Sequence, residues 1–163
     1  MLSLRENKRE RKEKMTDNRG VLNNLLVKLF NDILRIEEKS LKESKELSDL
    51  SVTEIHTIEA IGEKKERTMS EVANDLSITV GTLTTAINKL IKKGYVERRR
   101  IEEDRRIVLI KLTEEGKRAR CLHKKFHDDM ISATIESLGE EEETVLIKSL
   151  DNLSKFFHEK YEK

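Results

Sequence analysis

Proline and tryptophan are absent from this chain of 163 residues, and it holds a single cysteine. One cysteine excludes an internal disulfide and any zinc site built on several cysteines. No apolar run approaches the roughly 20 residues needed to span a bilayer, and no signal-peptide pattern occurs. The expectation is a cytoplasmic chain with no membrane partner. Glycine is scarce too, at six residues that mostly read as helix ends. A nucleophile elbow, a phosphate-binding glycine loop and a carboxylate pair in apolar surroundings are all missing, so no catalytic residue, metal or cofactor is expected. Net charge is nearly nil, with 33 Lys and Arg against 32 Asp and Glu. A polyanion would have to be met by the placement of charge, since its total is so small.

What remains is rich in helix formers: 40% of the residues are charged and 36% hydrophobic. The length fits one domain, or one domain with helical extensions. The stretch from Thr68 to Thr113 organises the rest. Thr68 and Glu71 form a capping box ahead of a short helix whose apolar face is Met69, Val72, Ala73 and Leu76. Ser77-Ile78-Thr79 makes a tight turn. A second helix then runs from about Thr79 to Lys93, with Lys92 and Lys93 in its last turn and Gly94 as its stop.

On that second helix Val80, Leu83, Ala86, Ile87, Leu90 and Ile91 gather on one side. Gly81, Thr82, Thr85, Asn88, Lys89 and Lys92 occupy the other, and no acid occurs from Ser77 to Tyr95. A merely solvated helix gains a few tenths of a kcal/mol from each Glu–Lys pair. An acid-free face of short hydrogen-bonding side chains instead suits base edges and phosphates.

Tyr95–Arg99 and Ile107–Leu112 read as strands from their β-branched content and partial alternation. The loop between them gathers Arg98, Arg99, Arg100, Arg105 and Arg106 around Glu102, Glu103 and Asp104. From Lys89 to Arg106 there are eight cations against four anions. A helix-turn-helix followed by an arginine-rich hairpin is an arrangement for setting one helix in a DNA major groove.

These residues carry a resemblance. GTLTTAINKLIKKGYVERRR followed by EDRRIVLIKLT and EEG, within the run from Val72 onward, resembles the MarR family of dimeric winged-helix regulators. Asp104 and Arg106 match that family's wing signature. EIHTIEAIG upstream and LHKKFH downstream are similar to the fatty-acid-synthesis repressors within the family. The resemblance implies a fold that is mainly α with a small β-wing, a winged helix-turn-helix flanked by long N- and C-terminal dimerisation helices.

Outside the central stretch, residues 1–15 are basic and nearly devoid of apolar side chains, and are expected to form a flexible extension. A dimerisation helix over residues 16–46, capped by Thr16 or Asp17, carries Val21, Leu22, Leu25, Leu26, Leu29, Phe30, Ile33, Leu34 and Ile36. That stripe is wide for a small domain to cover alone, so part of it is expected to face a second subunit. The DNA-binding domain spans residues 51–113. It opens on a second capping box, Ser51 with Glu54, before a helix lined by Val52, Ile55, Ile58 and Ile61. His56 in this helix reads as a structural residue. Residues 114–163 form C-terminal dimerisation helices, where acids outnumber lysines eight to four from Glu136 onward.

Two clusters invite a functional reading and receive a plain one. His123 and His127 stand at i and i+4, near Asp128 and Asp129, but Lys124 and Lys125 make the neighbourhood basic and no metal is assigned. Cys121 sits among Arg118, Arg120 and Lys124, which could activate a thiol. The oxidant sensors of the family use an N-terminal cysteine that is absent here.

The sequence thus reads as a homodimer on double-stranded DNA. Thr82, Thr85, Asn88 and Lys89 are assigned to the major groove. Arg98 and Arg100 are assigned to wing phosphate contacts, Arg105 or Arg106 to the wing tip, and Asp104 to shaping the wing through an arginine. The subgroup resemblance implies an acyl chain on acyl carrier protein as effector, in a cleft drawn from Phe30, Leu34, Ile55, Ile58, Phe126 and Met130. From periodicity alone those six are core. The alternative from another class is a helical protein-interaction module docking an acidic partner through its arginine loop.

Overall fold

The computed structural model describes residues 2–63, 65–102, 104 and 107–161, with side chains from residue 18 onward. Arg105 and Arg106, assigned above to the wing tip, lie outside the described residues. The order of elements is α1 (Leu2–Glu43), α2 (Val52–Ile61), β1 (Arg67–Thr68), α3 (Met69–Asp75), α4 (Val80–Lys92), β2 (Val96–Arg100), β3 (Val108–Leu112), α5 (Glu114–Ile135) and α6 (Glu140–Tyr161). The chain divides into two compact units, residues 1–119 and 120–163.

In the first unit, Ile55, Ile58 and Ile61 of α2 and Leu83, Ile87 and Leu90 of α4 are all but inaccessible to solvent. They share one core with Val72 and Ala73 of α3, Val96 of β2, and Ile110 and Leu112 of β3. The period-3.6 apolar face of each helix is what this core consumes. Leu41 from the end of α1 joins it, together with Leu47 and Leu50. Glu37 of α1 is buried, and its Oε1 lies 2.7 Å from His56 Nε2 of α2, so His56 serves an interhelical contact.

Both capping boxes form: Ser51 with Glu54 and Thr68 with Glu71 satisfy each other's backbone N–H groups. The turn between α3 and α4 closes through Ser77 N–H to Asn74 C=O and Ile78 N–H to Ala73 C=O, both at 3.0 Å. This Schellman closure needs a left-handed residue, and Ser77 supplies it at φ 54°. Left-handed backbone costs a side-chain-bearing residue roughly 1–2 kcal/mol. Ser77→Gly is therefore expected to raise stability by about 1 kcal/mol without moving α4, as read by urea unfolding. At the far end of α4 the same closure uses Gly94 at φ 86°, where no such strain arises.

Three features depart from the sequence expectation. First, α1 is continuous from Leu2, although residues 1–15 read as a flexible extension and the helix as starting at residue 16. No proline or glycine interrupts Leu2–Arg19, and its Arg, Lys and Glu residues are good helix formers. Second, the sheet has a third strand: β1 pairs antiparallel with β3, Arg67 opposite Ile110 and Thr68 opposite Leu109. Third, Val80, grouped with the buried face of α4, is 44% exposed at that helix's first turn.

The second unit holds α5 from Arg120 onward together with α6, both long amphipathic helices, and no residue of α6 is buried. His123, Phe126 and His127 form a ring cluster, His123 and His127 meeting edge-on at 4.6 Å. Asp128 is engaged by Lys124 at 2.5 Å. Cys121 is an exposed free thiol. Among the described residues, no helix is long and apolar enough to cross a membrane.

Candidate nucleic-acid interface

The α4 helix begins where Thr79 caps it, its hydroxyl accepting from Thr82 N–H at 3.1 Å. Threonine in extended conformation here leaves the cap outside the helix and satisfies one of the otherwise orphaned donors. Burial of Leu83, Ile87 and Leu90 fixes which face turns inward. The opposite face is consequently exposed, and it carries Thr82, Thr85, Asn88 and Lys89 together. All four sequence-assigned residues of this helix share one accessible surface. Thr82 Oγ1 and Thr79 Oγ1 lie 2.9 Å apart, and Thr85 reaches back to the Gly81 carbonyl at 3.4 Å.

The wing is the β2–β3 hairpin, registered with Val96 opposite Leu112, Arg98 opposite Ile110 and Arg100 opposite Val108. Ile107 N–H donates to the Asp104 carbonyl at 2.9 Å, so the Asp104 backbone helps close the hairpin loop. The arginines do not act alike. Arg99 is held by Glu66, its Nε donating to both carboxylate oxygens at 2.9 Å. Arg98 reaches across to α4 and donates through Nη1 to Asn88 Oδ1 at 3.0 Å. Arg100 is exposed.

Between wing and helix lies a groove of about 420 Å³ bordered by Val80, Thr84, Arg98, Arg100 and Ile107. Val80, Thr84 and Ile107 were not assigned to the interface from sequence. Apolar residues at helical and strand spacing read as core, but Val80 lies in the first turn of α4 and Ile107 just ahead of β3, and both are exposed.

The C-terminal end of α4 is anchored to α2 and to the segment that precedes it. Lys93 Nζ donates to both Glu54 carboxylate oxygens, at 2.8 and 2.9 Å, and also to the Asp49 carbonyl. Tyr95 donates its hydroxyl to Asp49 Oδ1 at 2.8 Å, and burial together with this carboxylate pushes the phenol up to about 12. Burial alone would raise the Glu54 carboxyl, but hydrogen bonds from Lys93 and Ser51 outweigh it and hold the group below the usual range. Lys93 is thus a structural cation held by its partners, and Lys89 stands one turn earlier on the same side of the helix and is exposed.

A carboxyl depressed on folding stabilises the native state above its unfolded value, and loses that contribution as pH falls through the folded value. Lys93→Met is expected to cost about 2 kcal/mol at neutral pH. That deficit should shrink as pH falls, because wild type loses the same contribution on acidification, and Glu54→Gln should likewise flatten the acid limb of the profile. Urea melts across a pH series check both.

A second cleft, of about 750 Å³, runs beside this anchor and is bordered by Leu34, Glu38, Lys42, Asp49, Lys89 and Lys93 among others. Of the six residues assigned to an effector cleft, Leu34 borders it. Ile55 and Ile58 are fully buried in the core, and Phe30 is half exposed on α1. Phe126 and Met130 are partly buried on α5 in the second unit.

Comparison with known proteins agrees with this geometry. Residues 50–108 match the MarR family. The HTH-type transcriptional regulator SarZ of Staphylococcus haemolyticus is 31% identical over 105 residues, which cover 64% of this chain and 70% of that one. The HTH-type transcriptional repressor YetL of Bacillus subtilis is 34% identical over 84 residues, covering 52% of this chain and 50% of YetL. The crystal structure of Streptococcus pneumoniae FabT in complex with DNA superposes with a TM-score of 0.78 at 43% identity. That alignment covers 85% of this chain and 96% of FabT. This chain belongs to the MarR family, and its fold is the winged helix-turn-helix. Over the first curated relatives the match spans from about half to about two thirds of their own length.

Proposed function

We propose that this chain is a homodimeric transcriptional repressor that binds a pseudo-palindromic operator, with one α4 helix in the major groove of each half-site. The observation that carries it is the exposed, acid-free face of α4 bearing Thr82, Thr85, Asn88 and Lys89, flanked by Arg98 and Arg100 of the wing. A face of this kind matches base edges and phosphates, and an acid on it would be repelled. The similarity to FabT, whose structure was determined with DNA, supports the same reading. Arg105 and Arg106 complete the cationic wing in sequence.

Dimerisation is supported by the apolar side chains that α1 and α6 leave uncovered. Leu22, Leu25, Leu29 and Leu34 on α1, and Val145, Leu150, Phe156 and Phe157 on α6, are each close to half exposed or more. Apolar surface on that scale marks a partner-covered face. A twofold dimer then explains a palindromic site, because half-site spacing mirrors the spacing of the two recognition helices.

For the regulated process, we favour fatty-acid synthesis with an acyl-carrier-protein-linked acyl chain as effector. This rests on the resemblance carried by Glu54–Gly62 and Leu122–His127 to the fatty-acid-synthesis repressors. The test is fluorescence-anisotropy titration of DNA from the chain's own promoter, with and without long-chain acyl carrier protein. Selective binding that tightens with the acylated carrier is expected. Selective binding indifferent to the carrier would remove the effector and keep the repressor. Lys89→Ala should weaken binding to all sequences alike and flatten the salt dependence by about one unit of slope.

A further inference from the structure

Asn88 and Arg98 belong to different elements, yet their side chains form one unit. Arg98 Nη1 on β2 donates to Asn88 Oδ1 on α4 at 3.0 Å, and both residues are exposed on the recognition face. A guanidinium carries donors only. The amide atom facing it must therefore be the oxygen, and the amide nitrogen is turned away from the wing. An unconstrained asparagine can present both a donor and an acceptor, which is how it pairs bidentately with adenine N6 and N7. The oxygen has two lone pairs, one of them taken by Arg98, and with the amide plane fixed in this way the atoms turned away from the wing are the two N–H donors.

We propose that Arg98 is a specificity-positioning residue: it locks the Asn88 amide so that the helix reads a base edge offering acceptors. Guanine, with N7 and O6 both acceptors in the major groove, is the base this selects, and adenine is disfavoured because its N6 group is itself a donor. The inference rests on the DNA-binding reading above. It gives Arg98 a role distinct from a phosphate contact, which positions the protein and carries no sequence information. It also draws the wing into base recognition through a side chain on the helix.

The test begins with the full chain selecting sites from a randomised duplex pool, followed by affinities for every single-base-pair variant of the selected site. Wild type is expected to prefer guanine at one position in each half-site by roughly ten- to hundred-fold. Asn88→Ala should erase that preference and so identify the position. Arg98→Met should move the preference at this same position toward adenine while the other positions keep theirs. The double variant should match Asn88→Ala there. Arg98 is exposed, so Arg98→Ala provides a second variant with the same readout. The proposal is overturned if Arg98→Met weakens all sites alike with the guanine preference intact. It is equally overturned if wild type prefers adenine at the Asn88 position. Selection of no consensus at all by wild type would overturn the DNA reading along with it.

Discussion

Gly116→Ala should unfold this protein more readily than any surface change near the wing. Gly116 stands in the first turn of α5, where its N–H donates to the Thr113 hydroxyl at 3.1 Å. The same hydroxyl donates to the Gly94 carbonyl at 2.7 Å, and Thr113 N–H donates to the Tyr95 carbonyl at 3.0 Å. The start of α5 is thereby laced to the segment that ends α4. A Cβ on residue 116 would sit 2.1 Å from the Tyr95 carbonyl oxygen and 3.2 Å from Leu112 Cβ. The first contact is with backbone already engaged in a hydrogen bond, so a rotamer change cannot relieve it. The α5 start or the α4 end must move, at a cost of about 3 kcal/mol. For a chain of this size that corresponds to a fall in Tm of roughly 6–12 °C at fixed protein concentration. Calorimetry checks it, and an unchanged Tm would mean that the junction is looser than the geometry implies.

Thr85→Glu should do the opposite: leave the fold intact and abolish recognition. Thr85 is exposed at mid-helix, where glutamate is a better helix former than threonine. No buried group loses a partner, since the Thr85 hydroxyl makes only a 3.4 Å contact to the Gly81 carbonyl. A carboxylate there would face the DNA from the centre of the acid-free surface. Like-charge juxtaposition in an interface costs several kcal/mol. Selective affinity should drop by about a hundred-fold or more with circular dichroism and Tm unchanged, in contrast to Lys89→Ala, whose loss is modest and salt-dependent. Retained selective binding by Thr85→Glu would put the DNA on another face.

Much of this arrangement was legible in the residues because it is local. The two capping boxes, the Gly94 stop and the apolar periods of α2 and α4 are set by neighbours three or four positions apart. The two hairpin strands announce themselves by β-branched residues. The exposed set Thr82, Thr85, Asn88 and Lys89 follows from the same periodicity. What sequence reasoning missed is long-range or too short to repeat. The β1 strand has two residues and forms only because β3 offers a free edge. The pairs Arg99–Glu66 and Lys93–Glu54 span 33 and 39 positions, and nothing periodic links their members. Those pairs sort the cations into structural and available ones, which composition cannot do. Val80 shows the converse error, an apolar residue at a core-like position left on the surface because it lies in the helix's first turn.

The most direct test of the central claim is a hydroxyl-radical footprint of the full chain on its own promoter, across a salt series. The account predicts two protected patches on one face of the duplex, centred about ten base pairs or a multiple apart, which fade together as salt rises. Absence of a localised footprint at any salt would contradict it, and would leave the arginine wing to be explained by an acidic protein partner.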